Sequence, residues 1–288
     1  MSSYRRYDAG APHRLVLLCK GFPDERSVAP VLERLGGLKA ERIDVPDDGF
    51  DLTAYSRAAA RLGEATACFL NSSSVLLADG WLELLVSALE GHPAVGIAGA
   101  TGSWNSLHSS VCYDLHLPSA YTTVFRDRSW YARQLRDAAA AGPAKDERDP
   151  LPRQLRTAYR MARGLVLFRP FPAVHVRTNA FAVRTEVMRR VRFRPLRNKE
   201  RAWRLESGRA SITDQVAAMG MRAVVVGRNG RSYDRREWAA SDTLWQAGQE
   251  NLLVADNQTE LYRAGDLDLR RLLSALAWGP QARPTEPD

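Results

Sequence analysis

The stretch TACFLNSSSVLLADGWLELLVSALEGHPAVGIAG, residues 66–99, decides the fold. Its opening run, Thr66–Leu70, is apolar, too short for a helix, and closed by the polar turn Asn71-Ser72-Ser73-Ser74. It reads as a buried strand. Asp79 stands where a helix cap is expected, Leu82, Leu85, Val86 and Leu89 recur at helical spacing, and Gly91 stops the pattern. Val95–Ala98 is the next short apolar run. Strands this apolar, alternating with amphipathic helices, predict a parallel sheet covered on both faces.

The same alternation precedes this stretch. Leu15–Cys19 reads as a strand ending at Lys20-Gly21, and Val28, Val31, Leu32 and Leu35 follow on one helix face up to Gly36-Gly37. Arg42–Val45 is a second strand, and Pro46-Asp47-Asp48-Gly49 is turn chemistry. Asp51 is placed to cap a helix carrying Leu52, Tyr55, Ala59 and Leu62. Ligands of such sheets bind outside the carboxyl ends of the strands. That rule puts the weight on Lys20-Gly21, on Asp44 to Asp51, and on Asn71 to Ser74.

Downstream, Ser119–Arg163 is rich in Ala, Arg and Asp and is broken by Gly142-Pro143 and Pro150-Leu151-Pro152. Two helices or a mobile helical lid are expected. Val174–Val183 reads as one strand, Thr185 as the cap of a helix to Val191, Ser211–Met219 as a helix ended by Gly220, Arg222–Val226 as a strand, and Leu269–Trp278 as a closing helix. The tail 281–288 is expected to be disordered.

Composition narrows the classes. A chain of 288 residues, 45% hydrophobic and 26% charged, can bury a full core without staples. Cys19, Cys68 and Cys112 are odd in number and form no CxxC pair, which predicts a reducing compartment. Met1–Gly10 lacks a signal-peptide core, and no apolar run approaches the roughly 18–20 residues that span a bilayer. A cytoplasmic protein is expected, at most peripheral to the inner face of the membrane. Net charge is +8, and from Arg153 to Arg209 fifteen arginines and one lysine stand against three acids. Such a field suits a diphosphate, an acidic glycan, a lipid phosphate or nucleic acid, or is a solvated surface. No aromatic-interleaved basic motif supports nucleic acid. The five histidines show no zinc spacing. Gly99-Ala100-Thr101-Gly102 starts like a dinucleotide fingerprint, but it does not follow the first strand and its last glycine position holds Asn105.

Phe69-Leu70-Asn71-Ser72-Ser73, then Gly80-Trp81-Leu82, then Val95-Gly96-Ile97-Ala98-Gly99 resembles the centre of family-2-like glycosyltransferases. Asn179 to Val183, Leu205-Glu206, and Met219 to Val225 resemble that family's acceptor-side strand, acidic motif and following strand, in the same order. The resemblance covers roughly residues 14–235, and residues 238–279 have no counterpart. It implies a GT-A-type, Rossmann-like, mostly parallel sheet flanked by helices, as one domain over residues 1–280. Within it, 14–105 would be the nucleotide-binding half, 119–165 a helical insertion and 174–280 the acceptor half. The activity implied is transfer of a sugar from a UDP-, GDP- or dTDP-type donor to a glycan, lipid-linked or small-molecule acceptor.

One departure qualifies it. The family places a carboxylate where this chain has Ser73, with Asn71 two residues earlier, and that carboxylate holds a divalent metal on the donor diphosphate. Metal independence is expected here, with Arg or Lys supplying the charge; other ligands such as Asp44 or Asp214, or a degenerate site, are the alternatives. The resemblance makes Glu206 the general base, because an inverting displacement needs a carboxylate to take the acceptor proton. Lys20, Gly21, Asp44, Asp51, Asn71, Ser72 and Ser73 fall on the donor side. His175, Arg177 and Asn179 alternate along one strand face and, with Trp104 and Trp203 as sugar-stacking rings, form the acceptor or diphosphate side. The rival functions are a catalytically dead nucleotide- or sugar-binding protein and an RNA- or anionic-surface-binding protein.

Overall fold

The computed structural model describes residues 1–140, 153–193 and 199–285. The chain opens with Ser2–Arg6 (α1), Leu15–Lys20 (β1), Glu25–Glu33 (α2) and Ala40–Val45 (β2). β1 and β2 pair in parallel, with Lys20 opposite Val45. Asp24 starts α2 with a reciprocal box: its side chain accepts from Ser27 N, and its own N–H meets the Ser27 hydroxyl. Next come Asp51–Arg61 (α3), Thr66–Leu70 (β3), Val75–Leu76 (β4), Trp81–Glu90 (α4), Val95–Gly99 (β5) and Gly102–Ser103 (β6). Leu107–Asp114 (α5) follows, and the insertion supplies Arg128–Ala140 (α6) and Arg153–Leu167 (α7). Then follow His175–Val176 (β7), Ala180–Arg184 (β8), Thr185–Arg190 (α8), Lys199–Ser207 (α9), Ile212–Ala218 (α10), Arg222–Val226 (β9) and Ser232–Asp234 (β10). Val254–Ala255 (β11), Asn257–Ala264 (α11) and Leu267–Trp278 (α12) complete the chain.

The main sheet runs β10-β9-β5-β8-β3. β5 and β9 are parallel, but β8 is antiparallel to both of its neighbours, β3 and β5. The expected mostly parallel sheet is therefore corrected to a mixed one. A strand buried on both faces, such as AFAV in β8, carries the same apolar signal in either direction. The reversal matters for the site. It sets the start of β8 beside the carboxyl ends of β3 and β5. The expected single strand Val174–Val183 is also corrected: a turn at 178–179 separates β7 from β8.

Alternation sorts the two faces. Phe69, Ile97, Phe181, Val183 and Val225 join one core with α3, α8 and α10, while Ala98, Ala180, Ala182 and Val224 join the other with Leu82, Leu85 and Leu89 of α4. Trp238, Leu244, Trp245, Tyr262, Leu273 and Trp278 close the first core. The segment without counterpart is thus part of the same hydrophobic unit. α6 is docked, not a free lid: Tyr131, with Tyr113, Tyr121 and Phe125, packs against Leu272, Ala275 and Leu276 of α12. Residues 141–152 of the expected insertion lie outside the described residues.

Several expected caps shift. Gly80, left-handed at φ 70°, precedes α4, and Asp79 instead accepts from Asp8 N at 2.8 Å. Asp51 and Thr185 are first helical residues behind Phe50 and Arg184, with no side-chain cap bond. Ser211 does cap α10, accepting from Asp214 N at 3.0 Å. Residues 281–285 are ordered, against expectation: Ala247 N donates to Arg283 O at 2.8 Å and Arg283 N to Gln246 Oε1 at 2.7 Å. Residues 286–288 lie outside the described residues. Among the described residues, no helix is long and apolar enough to cross a membrane.

The loop before β11 is strained. Asp242, Trp245, Ala247 and Gln249 all have positive φ, between 45° and 57°. Such a residue costs on the order of 1–2 kcal/mol unless its surroundings impose it. Here the side chains impose it. Gln249 accepts from Trp245 N at 3.0 Å and donates to Thr259 O at 3.1 Å, and Gln246 donates to Ala239 O and Gln281 O. The loop leads directly to Asp256.

Candidate functional site

Three chain segments meet where β3 and β5 end and β8 begins. Asn71 N donates to Asn179 O at 2.9 Å, Ala100 N to Ala180 O at 3.0 Å, and Arg177 N to Thr101 O at 3.1 Å. These backbone bonds fix the polar residues of all three segments around one point. Ser74 Oγ lies within reach of both Asn71 Oδ1 (2.9 Å) and Asn179 O (2.7 Å). Asn71 Oδ1 also accepts from Ser73 N at 3.1 Å and Ser73 Oγ at 2.9 Å. Ser72 is exposed at the tip of the turn.

Glu206 reaches this point from the last turn of α9. Its Oε1 accepts from Thr178 N and from Thr178 Oγ1, each at 3.1 Å. Its Oε2 makes no hydrogen bond among the described residues. Thr178 thus holds one of the two carboxylate oxygens. Trp203, one turn earlier on the same helix, is exposed.

His175 lies behind them, buried. Its Nδ1 is 2.7 Å from Ala173 O, so Nδ1 carries the proton and Nε2 the lone pair. Burial pushes its pKa down, against the pull of Glu206 and of the Ala173 carbonyl; Arg177 adds to the depression and Asp214 opposes it. This imidazole stays neutral in the fold. In the unfolded chain it titrates near about 6.5. Below that pH the unfolded state binds a proton the native state does not, so stability falls with acidity, by up to about 1.4 kcal/mol per pH unit. Urea unfolding at pH 7.5 and 5.5 should show this loss shrinking in His175→Asn, whose amide can keep the bond to Ala173 O.

Arg177 is engaged by a carboxylate the sequence reading did not select. Its Nη2 donates to Asp256 Oδ2 at 2.6 Å, and both side chains are largely buried. Asp256 also caps α11, accepting from Gln258 N and Thr259 N at 3.0 Å each. Burial works to raise the Asp256 pKa, but Arg177 and the two backbone donors together hold it below the usual carboxylate range. Asn179 is 4% exposed; its Oδ1 accepts from Thr101 Oγ1 at 3.0 Å and its Nδ2 has no hydrogen-bond partner among the described residues. Turning the amide over would only move the orphan to the oxygen. A buried polar atom left unpaired costs roughly 1–3 kcal/mol.

The donor-side residues form a second group at the ends of β1 and β2. Lys20 Nζ donates to Gly49 O at 2.9 Å and lies 3.5 Å from Asp47 and 4.0 Å from Asp51. Gly21 has φ 76°, a conformation that favours glycine, and a Cβ there would stand 3.0 Å from the Asp47 side chain. α3 links the groups: Tyr55, one turn after Asp51, stacks on Phe69 of β3 with centroids 4.7 Å apart. Asp44 is exposed and held by Arg42 at 2.8 Å, turned to its own neighbour.

Three expectations are corrected. Trp104 is core, not a sugar platform: it is 6% exposed, donates Nε1 to Arg235 O at 3.1 Å, and packs on Phe171 and Trp278. His175, Arg177 and Asn179 do not share one strand face, because the chain turns at 178–179. The basic span is not a uniform field. Arg184 binds Leu89 O and Val95 O, Arg189 binds Ala59 O and Leu62 O, Arg169 pairs with Asp214, and Arg177 with Asp256. These arginines cap carbonyls and close ion pairs. Lys20, expected on the donor side, and Arg177, expected on the acceptor or diphosphate side, are both held by carboxylates.

A divalent metal does not fit the Asn71–Ser74 turn. Asn71 Oδ1 already receives three donors, from Ser73 N, Ser73 Oγ and Ser74 Oγ. Among the described residues no cluster of three His, Cys, Asp or Glu is placed to hold an ion. Thr101 and Asp256 are the site residues that sequence reasoning missed. Asp256-x-x-Thr259 was visible as a helix-start box, but its pairing with Arg177, 79 positions earlier, had no local signal. Compared with protein-family models, curated proteins and solved structures, the chain matches none.

Proposed function

We propose that this chain is a glycosyltransferase that moves a sugar from a nucleotide-sugar donor to a hydroxyl acceptor, with Glu206 as general base. The observation that carries the reading is the Glu206 carboxylate, fixed through one oxygen by Thr178 at the turn that leads into β8. Glu206 Oε2 takes the proton of the acceptor hydroxyl as that oxygen bonds to the anomeric carbon. The bond from that carbon to the diphosphate oxygen breaks, and the leaving nucleotide carries away the electron pair. Lys20 and the acids around Gly49 stand at the strand ends where the base and ribose would lie. Trp203, exposed near the base, offers an acceptor platform. No step is assigned to a metal, since the Ser73 turn does not fit one.

The test is release of nucleoside diphosphate from UDP-, GDP- and dTDP-sugars, with and without EDTA. Release from one of them, unchanged in chelator, is expected. Release that stops in EDTA and returns with Mn²⁺ would overturn the metal-free assignment. No release from any donor would favour the second reading, a binding protein of the same architecture, for which the paired state of Arg177 and Lys20 is the supporting observation.

A further inference from the structure

Four arginines of the basic span, Arg169, Arg177, Arg184 and Arg189, are engaged in caps and ion pairs, and a further part of the span lies on α7. α7 carries four arginines and no acidic residue. Its inner face meets α5, where a Cβ on Gly164 would press on Val111 and Leu107. Its outer face shows Tyr159, Ala162 and Val166, three, four and seven residues apart, on one side of the helix. Val166 is 67% exposed and Tyr159 52%. An outward helix face is ordinarily polar. This one is apolar with a cationic margin. The Arg163 guanidinium lies over the Tyr159 ring, 5.0 Å from its centroid, and hydrogen-bonds its hydroxyl. Arg209, from beyond the end of α9, donates Nε to Val166 O at 3.1 Å and sets a second, exposed guanidinium at the strip's edge.

We infer that the outer face of α7 docks this protein on an anionic lipid surface, the apolar strip entering the headgroup boundary and the arginine margin meeting lipid phosphates. An apolar stripe with basic flanks and no acid is the pattern of a helix lying in a membrane interface. A second copy of the chain fits worse. A two-fold contact would set the same arginine margin against itself. Arg209 N also donates to Leu167 O at 3.0 Å, so α7 is tied to the end of the helix that carries Glu206 and Trp203. The inference does not depend on the reaction proposed above.

The experiment is co-sedimentation of the full chain with vesicles of phosphatidylcholine alone and with roughly one-third phosphatidylglycerol, at low and high salt. Binding only to the anionic vesicles, weakened by salt, is expected. The double variant Tyr159→Glu and Val166→Glu, both at exposed positions, should keep its melting temperature and lose binding by at least about tenfold. Failure to sediment with either vesicle, or undiminished binding of the double variant, would overturn the proposal. So would a concentration-dependent dimer in light scattering that the double variant abolishes, which would assign the strip to a second copy.

Discussion

Glu206→Gln is expected to lower sugar transfer by about 10²- to 10⁴-fold, the usual worth of a positioned general base, while leaving the melting temperature and donor binding unchanged. Glutamine keeps a carbonyl oxygen where Oε1 accepts from Thr178 N and Oγ1, so the local geometry is preserved. What is lost is the basicity of the other oxygen. Transfer and donor-induced stabilisation, measured on the same preparation, separate the roles. A fall in melting temperature would make Glu206 a structural ligand of the 178–179 turn. Full activity in the variant would remove it from the chemistry.

Asp256→Ala should produce the largest loss of stability, about 3–5 kcal/mol, because it leaves Arg177 buried and unpaired. The Asp256 side chain is 5% exposed and that of Arg177 13%, so water cannot readily replace the lost partner. Loss of the α11 cap contributes about 1 kcal/mol of that total. Urea unfolding is the measurement. The double variant Asp256→Ala with Arg177→Met should recover much of the loss, since no orphan charge remains. If the single variant costs no more than a surface substitution, the pair is not buried as described. The sign with pH follows from the depressed folded pKa. The stabilisation is complete above the ordinary carboxylate range and is lost as pH falls below about 4 toward the folded value.

The elements were legible where local signals sufficed. Thr66–Leu70, Val95–Ala98 and Arg222–Val226 are strands because short apolar runs between turn residues leave little alternative, and Ser211 caps its helix as its side chain suggests. Direction was not legible. β8 is equally apolar read either way, and only the backbone pairing shows that it starts beside the carboxyl ends of β3 and β5. That reversal brings Asn179 against Asn71 and Thr101, contacts spanning 78 positions or more that no periodicity encodes. The arginine span misled for a related reason. Composition counts charges but not the carbonyls and carboxylates that Arg184, Arg189 and Arg177 meet in the fold. Trp104 misled because tryptophan, more often core, also serves as a sugar platform, and its sequence neighbours do not separate the two.

The most direct test of the strand-end site is a thermal-shift screen of UDP-, GDP-, CDP- and dTDP-sugars against the full chain, each with and without Mn²⁺. A ligand that binds only the folded state raises the melting temperature. A selective rise with one nucleotide sugar, equal in both arms and kept in Glu206→Gln, is the predicted result. No shift with any donor in either arm would contradict a nucleotide-sugar site at the ends of these strands.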